Sequence, residues 1–344
     1  MAILKIFSRF LAFSRLAALY LLTLGWVSCN DSPYDVDVSE IKAEIKVERF
    51  GQDLFSIPAD SIANEVPRLA NQYGSFFDLF SFEIISPSRG LADPNFSYGL
   101  YNFVTDFNMQ TVYKDCEKAF PDLGWLETDL TMAFKHYKYY FPKRHLPRVI
   151  SYMSGFNYSI ATDSLMLAIG LERYLGPDYR YYPQLQYPKY MTFKMKPEYI
   201  VPDCMRAWAI SEFPSKGKQD FLNAMIYEGK LIYYLHCMLP ESPETLLLAF
   251  TESELDWCEA HEQELWAHFI DKELLYATDE KTILEYTAEA PFTPGFPEEA
   301  PDRSANWTGY RIVKKFMERK KSSLADLMRE DNGQMILEIS GYKP

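Results

Sequence analysis

The N-terminal segment of the chain restricts where the rest of it can fold. Lys5, Arg9 and Arg15 place positive charge near the start, and an apolar run over residues 16–27 follows them. A run of about a dozen apolar residues is shorter than the roughly 20 that a membrane-spanning helix needs, and a basic start followed by such a run is typical of an export signal. The sequence therefore predicts that residues 1–28 are a signal peptide and that the remainder folds after export.

The end of this segment resembles the lipobox of bacterial lipoproteins. Small residues stand before Cys29 in Trp26-Val27-Ser28-Cys29, although Trp26 departs from the usual Leu or Val. The resemblance implies that Cys29 is acylated and becomes the new N-terminus, which would anchor the chain to the envelope, with the outer membrane expected and the face it lies on left open. Residues 29–40 are then predicted to be the acylated cysteine and a flexible tether. An ordinary secretory signal and an N-terminal anchor helix are the alternatives.

Charge argues against nucleic acid as a partner of the mature chain. Removing residues 1–28 takes away three of the 35 basic residues and none of the 48 acidic ones. A strongly acidic surface repels phosphate backbones. The sequence also contains no P-loop, dinucleotide fingerprint or EF-hand, so no cofactor is predicted.

Apolar periodicity predicts one mainly helical α+β domain over residues 41–344 that carries a small antiparallel sheet. Residues 41–48 alternate between apolar and charged side chains, as a half-buried strand does, and residues 148–171 are predicted to form a hairpin. A capping box marks a helix start at Thr251 and Glu254. Helices are predicted at residues 60–73, 96–107, 109–120, 126–141, 198–213, 219–238, 243–249, 252–270, 280–289, 307–319 and 323–328.

The sequence leaves the oxidation state of the cysteines open. The mature chain contains four beyond Cys29, namely Cys116, Cys204, Cys237 and Cys258. They form no C-x-x-C pair, which excludes a zinc ribbon or a thioredoxin-type motif. Export permits disulfides, whereas the apolar helical settings of the last three suit buried free thiols equally well.

Glu228 stands out because it introduces charge into an apolar helix. It precedes Gly229 and Lys230 in Met225-Ile226-Tyr227-Glu228-Gly229-Lys230. A glycine within a helix costs about 1 kcal/mol relative to alanine, so Gly229 is expected to permit close packing or access to the carboxylate. Glu228 is therefore either a ligand or polar binding residue, or the partner of an arginine from the C-terminal helices, such as Arg311.

Two other segments give weaker indications of a metal site or a sugar-binding site. His261-Glu262-Gln263-Glu264-Leu265 starts like the zinc motif H-E-x-x-H, but Leu265 stands where the second histidine must be, which favours a partly solvated helix face. The segment from Tyr179 to Tyr190 is rich in tyrosine and could stack on sugars. Tyrosines with neighbouring prolines also pack irregular loops onto domains, and this second interpretation is favoured.

A set of strings along the mature chain resembles the gliding-motility lipoprotein GldB family. The match runs in order over essentially the whole mature chain. The strings are Val47-Glu48-Arg49-Phe50, Gly74-Ser75-Phe76-Phe77, Met225-Ile226-Tyr227-Glu228-Gly229-Lys230, Pro291-Phe292-Thr293, Trp307-Thr308-Gly309-Tyr310-Arg311 and Ser340-Gly341-Tyr342-Lys343-Pro344.

The resemblance implies an envelope lipoprotein that takes part in gliding or secretion by binding other envelope proteins, and not an enzyme. The family is similar in outline to zinc peptidases in which an E-G-containing helix follows an H-E-x-x-H helix. Glu228-Gly229 would match the former, but residues 203–212 of the preceding helix contain no histidine. The departure predicts a metallopeptidase-like scaffold that lacks the zinc motif.

The predicted binding groove combines the charged and aromatic residues that are embedded in the apolar helices. They are Glu228, Lys230, Trp307, Tyr310 and Arg311. Two alternatives remain. One is a zinc metallopeptidase with unusual ligands from Glu228, His236 and His261, and the other is a surface glycan-binding lipoprotein that uses the tyrosine-rich loop.

Overall fold

The computed structural model describes residues 33–85, 93 and 95–344. The predicted signal peptide and Cys29 lie outside these residues. Residues 37–344 form one compact unit, and of the preceding unit only residues 33–36 are described, with a turn at residues 33 and 34. In the described part of the chain, no helix combines the length and apolarity needed to cross a bilayer.

Helices make up most of this unit, which confirms the mainly helical α+β prediction. They are α1 (Phe50–Phe55), α2 (Ile62–Tyr73), α3 (Ser75–Leu79), α4 (Phe96–Thr105), α5 (Phe107–Ala119), α6 (Gly124–Tyr140), α7 (Lys189–Thr192), α8 (Ile200–Glu212), α9 (Phe221–Met238), α10 (Glu244–Leu248), α11 (Glu252–Ala260), α12 (Glu262–Asp271), α13 (Glu280–Thr287), α14 (Ser304–Lys320), α15 (Leu324–Arg329) and α16 (Gly333–Ser340).

The local signals in the sequence located several of these helices. The N–H of Gly74 donates to Ala70 O at 2.9 Å and closes α2, with Gly74 at a φ of +55° that favours glycine. The capping box of Thr251 and Glu254 opens α11 as predicted. The helix predicted over residues 252–270 is divided at His261 into α11 and α12, and α16 was not predicted.

The sheet is mixed, which corrects the prediction of an antiparallel one. Its strands are β1 (Val47–Arg49), β2 (Arg148–Tyr152), β3 (Ile160–Thr162) and β4 (Met166–Gly170), in the order β1-β2-β4-β3. Only β3 and β4 form an antiparallel hairpin, because β2 runs parallel to both β1 and β4, with Val149 opposite Leu167. All of β4 and four of the five residues of β2 are buried, as is typical of parallel strands covered by helices on both faces.

The predicted strand at residues 41–48 begins only at Val47. Residues 41–46 have no regular secondary structure. Side chains of α6 capture the backbone here, since Ile45 N donates to Thr131 Oγ1 at 3.0 Å and Val47 N donates to Glu127 Oε1 at 2.9 Å. These bonds take the place of a sheet partner, so apolar alternation alone did not make a strand.

Candidate functional site

Helices α9 and α14 cross at two glycines, and this crossing positions the candidate site. A β-carbon on Gly229 would overlap the carbonyl group of Gly309 and lie 2.5 Å from Tyr310 N. A β-carbon on Gly309 would overlap the carbonyl oxygen of Met225. The two backbones are therefore in direct contact, which confirms that Gly229 permits close packing. It also places Glu228 of α9 next to the first turn of α14.

Glu228 is held by α8 and α14, and not by Arg311. Its Oε2 pairs with the guanidinium of Arg206 and accepts a bond from Asn306 Nδ2 at 3.3 Å. Arg311 instead pairs with Glu262, with 3.1 Å between Nε and Oε1, and Tyr342 donates to the same Oε1 at 2.8 Å. The expectation that an arginine partners Glu228 holds, but the arginine comes from the helix that precedes α9.

The five residues of the predicted groove do not share one surface. Lys230 lies two positions after Glu228, which is about 200° around a helix, and its Nζ donates to Glu330 O at 2.7 Å. The rings of Trp307 and Tyr310 are 1% exposed, and Tyr310 stacks on His236 at 4.9 Å. Of the five, Glu228 alone lies beside the cleft described below.

The residues suggested as unusual zinc ligands are also apart. Glu228 and His236 are eight residues apart on α9, about 12 Å along the helix axis. His261 stacks on Trp257 at 4.3 Å, with 2.8 Å between His261 Nδ1 and Trp257 O. Burial, aided by the charge of Lys314, lowers the pKa of His236 to about 4. Among the described residues, no three or more His, Cys, Asp or Glu side chains are grouped as a metal site would need.

The tyrosine-rich loop is packed onto the domain through its hydroxyl groups. Tyr179 donates to Asp115 Oδ2 at 2.9 Å and Tyr181 donates to Asn108 Oδ1 at 3.1 Å, both on α5. Tyr182 is fully buried and donates to Glu172 O at 2.9 Å. These contacts favour the packing interpretation over a surface that stacks on sugars.

The four cysteines beyond Cys29 are all buried free thiols in the structure: Cys116, Cys204, Cys237 and Cys258. Burial raises the pKa of each thiol. Protonated, buried thiols are poor nucleophiles, so these cysteines act as small apolar side chains of the core.

A charged cleft lies beside the Arg206–Glu228 pair and has a volume of about 240 Å³. One wall is apolar and comes from α9, α10 and the residues that follow α10. The rest of the lining, called the polar wall, is mostly polar or charged. The polar wall includes Lys194, Asp203, Arg206, Glu289, Arg303 and Asn306, and the apolar wall includes Ile232, Leu235, Leu246, Leu247, Leu248 and Phe250.

A second cavity of about 170 Å³ adjoins the charged cleft. The two share Lys194, Asp203 and Glu289, and the second is otherwise lined by residues such as Tyr174 and Met195. The shared side chains therefore line both cavities.

Three ion pairs neutralise the cations of the charged cleft. Lys194 pairs with Glu289, Arg206 pairs with Glu228, and Arg303 Nε lies 2.8 Å from Asp302 Oδ1. Burial raises the pKa of Glu289, but the charge and hydrogen bond of Lys194 together with the charges of Arg303 and Arg173 outweigh it, and the net shift is downward. The three pairs hold the wall in one arrangement.

Asp203 is the fourth carboxylate at these three cations. It accepts a hydrogen bond from Tyr174 OH at 2.8 Å, and the described residues supply it with no ion pair. Burial raises the pKa of Asp203, against the opposing effect of the nearby Lys194. The sequence contained a signal for this residue, because Asp203 and Arg206 are one turn apart in a helix whose neighbouring residues are apolar.

We expect Asp203→Asn to stabilise the unliganded protein at neutral pH, by on the order of 1 kcal/mol, since it removes a partly desolvated charge and keeps an acceptor for Tyr174. Because the pKa of Asp203 is raised in the folded protein, its protonation contributes stability in the wild type. This contribution is fully present below the unfolded pKa of 3.8 and is lost as the pH rises through the folded pKa. The stability of Asp203→Asn relative to wild type should therefore increase with pH and then level off. Urea unfolding of both proteins across this pH range measures the difference in the free energy of unfolding, and a difference that does not change with pH would refute the prediction.

The sequence comparisons give the family. The model of the family described as "Gliding motility protein GldB" matches residues 31–344. No curated protein and no solved structure matches the chain. The matched range contains the α9–α14 crossing and every residue of the charged cleft. Because the match extends over nearly the whole chain, this protein belongs to the GldB family of gliding motility proteins.

Proposed function

We propose that this chain is a lipid-anchored envelope protein, attached through Cys29, that takes part in gliding, secretion or a related envelope process by binding another polypeptide. The observation that carries the proposal is the family match over residues 31–344. The lipobox-like sequence at Cys29 supports the anchor, and the charged cleft supplies a recessed surface for binding.

The chemistry of the cleft supports binding over catalysis. Its three cations are each held by a carboxylate, so the wall offers fixed charges and hydrogen-bonding groups. Catalysis by a side-chain nucleophile needs an activated group with a base in hydrogen-bond reach. The one cysteine next to the cleft residue Asp203 is Cys204, whose thiol is buried and whose pKa is raised by that burial.

Replacing Cys29 by serine tests the anchor. Serine cannot form the thioether that carries the diacyl group, so we expect the variant to lose fatty-acid labelling and to leave the membrane fraction. Fractionation of cells that express either form measures this. An unlabelled wild-type protein, or a variant that stays in the membrane to the same extent, would contradict acylation at Cys29.

Metal content separates the proposal from the peptidase alternative. The chain from residue 30 onward, purified without chelator or metal-affinity resin and dialysed against zinc, is expected to hold much less than one zinc ion per chain. Close to one tightly bound zinc ion would overturn the binding proposal and justify a screen of peptide substrates.

A further inference from the structure

Each of the three cations that line the charged cleft has a carboxylate partner, whereas one lining carboxylate, Asp203, has no ion pair among the described residues. Lys194 pairs with Glu289, Arg206 with Glu228 and Arg303 with Asp302, and of these three carboxylates Glu289 also lines the cleft. Asp203 is left over, and it lines both the cleft and the adjoining cavity. A partly desolvated carboxylate without an ion pair is costly, so a ligand that supplies one positive charge is favoured at this position.

Asn306 gives independent evidence for a hydrogen-bond donor on the ligand. Its side chain lines the cleft and is 6% exposed, and its Nδ2 donates to Glu228 and to Thr287 O at 3.1 Å. Two acceptors on one side fix the amide orientation, because a flipped amide would place its oxygen against them. Its Oδ1 accepts no hydrogen bond from the residues that the structure describes. Buried acceptors usually have a donor, and a ligand can provide it.

Backbone strain marks the same place. Ala249 and Arg303 both adopt a left-handed conformation, with φ of +53° and +51°, although neither is glycine. Arg303 Nη2 donates to Ala249 O at 3.1 Å, so a hydrogen bond joins the two strained residues just before the first residue of α14. Such conformations cost of order 1 kcal/mol or more and concentrate at ligand sites.

We propose that the charged cleft binds a primary ammonium group carried on an apolar stem. The ammonium would lie between Asp203 and Asn306, and the stem would contact the wall formed by Ile232, Leu235 and Leu246. A volume of about 240 Å³ suits one residue of a polypeptide and not an extended segment. Two sources offer this chemistry, namely the amino-terminal residue of a chain and a lysine side chain. The inference rests on the proposed binding function and names what the cleft recognises.

Small probes test the ammonium requirement on the intact mature chain. Leucinamide carries a free α-ammonium, Nα-acetyl-lysine amide carries a side-chain ammonium, and N-acetyl-leucinamide carries neither. Dissociation constants come from NMR titrations at neutral pH, where both amines are mostly charged and the raised pKa of Asp203 favours its protonation less than at acidic pH. We expect at least one ammonium probe to bind about tenfold or more tightly than N-acetyl-leucinamide, because a charged hydrogen bond is lost on acetylation.

Variants assign that preference to the cleft. Asp203→Asn should remove it, whereas the matched control Asp256→Asn, at an exposed position of α11, should keep it. Tighter binding of leucinamide identifies a chain terminus as the source, and tighter binding of the lysine probe identifies a side chain. Equal binding of all three probes, no binding of either ammonium probe, or an unchanged preference in Asp203→Asn would overturn the inference. A loss of cellular function in Asp203→Asn despite such results would leave the proposed function standing.

Discussion

Gly309→Ala is expected to destabilise this protein by about 3 kcal/mol or more, enough to deplete the folded form of a marginally stable domain. The new methyl group would overlap the carbonyl oxygen of Met225 and lie 2.7 Å from its carbonyl carbon. Backbone cannot move aside as a flexible side chain can, so α9 and α14 would have to separate. Gly229→Ala should have an effect of similar size, because its methyl group meets Gly309 and Tyr310 N.

A matched glycine separates this steric effect from helix propensity. Gly124 is the first residue of α6, and the atoms nearest to a β-carbon there belong to the flexible side chain of Asp122, with Oδ2 at 3.1 Å. Gly124→Ala should therefore be neutral or slightly stabilising, since alanine is the better helix former. Chemical denaturation of the three variants measures the difference. A Gly309→Ala protein within about 1 kcal/mol of wild type would contradict backbone contact between α9 and α14.

Glu172→Ala is the second substitution expected to have a large effect. Glu172 is fully buried, and its Oε1 accepts bonds from Ser154 N and Ser154 Oγ, both at 2.6 Å, and from Phe156 N at 3.1 Å. Phe156 has a φ of +69°, which a residue with a side chain rarely adopts. Alanine would leave the buried N–H groups of Ser154 and Phe156 without their acceptor, whereas the Ser154 hydroxyl would keep its bond to Tyr158 O at 3.1 Å. We expect the free energy of unfolding to fall by roughly 3 kcal/mol.

Glu172→Gln provides the control and a pH signature. Glutamine keeps an acceptor for the three donors, so it should lose much less stability than alanine. Burial raises the pKa of Glu172, so its contribution to folding is fully present below the unfolded pKa of 4.5 and is lost as the pH rises through the folded pKa. The stability of the Glu172→Gln variant should therefore increase relative to that of wild type as the pH rises. Alanine and glutamine variants of equal stability would refute the role of Oε1.

Local signals predicted the helices well because the start, the end and the buried face of a helix are encoded by residues that are close together in the sequence. Apolar spacing, the capping box at Thr251 and the glycine stop at Gly74 each act within a few positions of the chain. The parallel pairing of β2 with β1 and β4 joins segments that are far apart or separated by β3, and no local pattern specifies it. The strand predicted from residue 41 failed for the same reason, since Thr131 and Glu127 of α6 capture that backbone.

The site was predicted only in part. Glu228 and Gly229 stood out because a charge and a glycine interrupt an apolar helix, and the structure places both at the α9–α14 crossing. The charged cleft was missed because Lys194, Arg303 and Asn306 look like ordinary surface residues in sequence, and only the fold brings them to Asp203. Trp307 and Tyr310 were chosen as groove residues, but large aromatic side chains in apolar helices are more often core, as they are here.

Complementation of a strain that lacks this protein tests the central claim most directly. Wild type, Asp203→Asn and the control Asp256→Asn are expressed at equal abundance in the membrane fraction, and the readout is the surface spreading or protein export that the strain has lost. We predict that wild type and Asp256→Asn restore the process and that Asp203→Asn, although folded and at least as stable, does not. Full restoration by Asp203→Asn would contradict a binding function of the charged cleft.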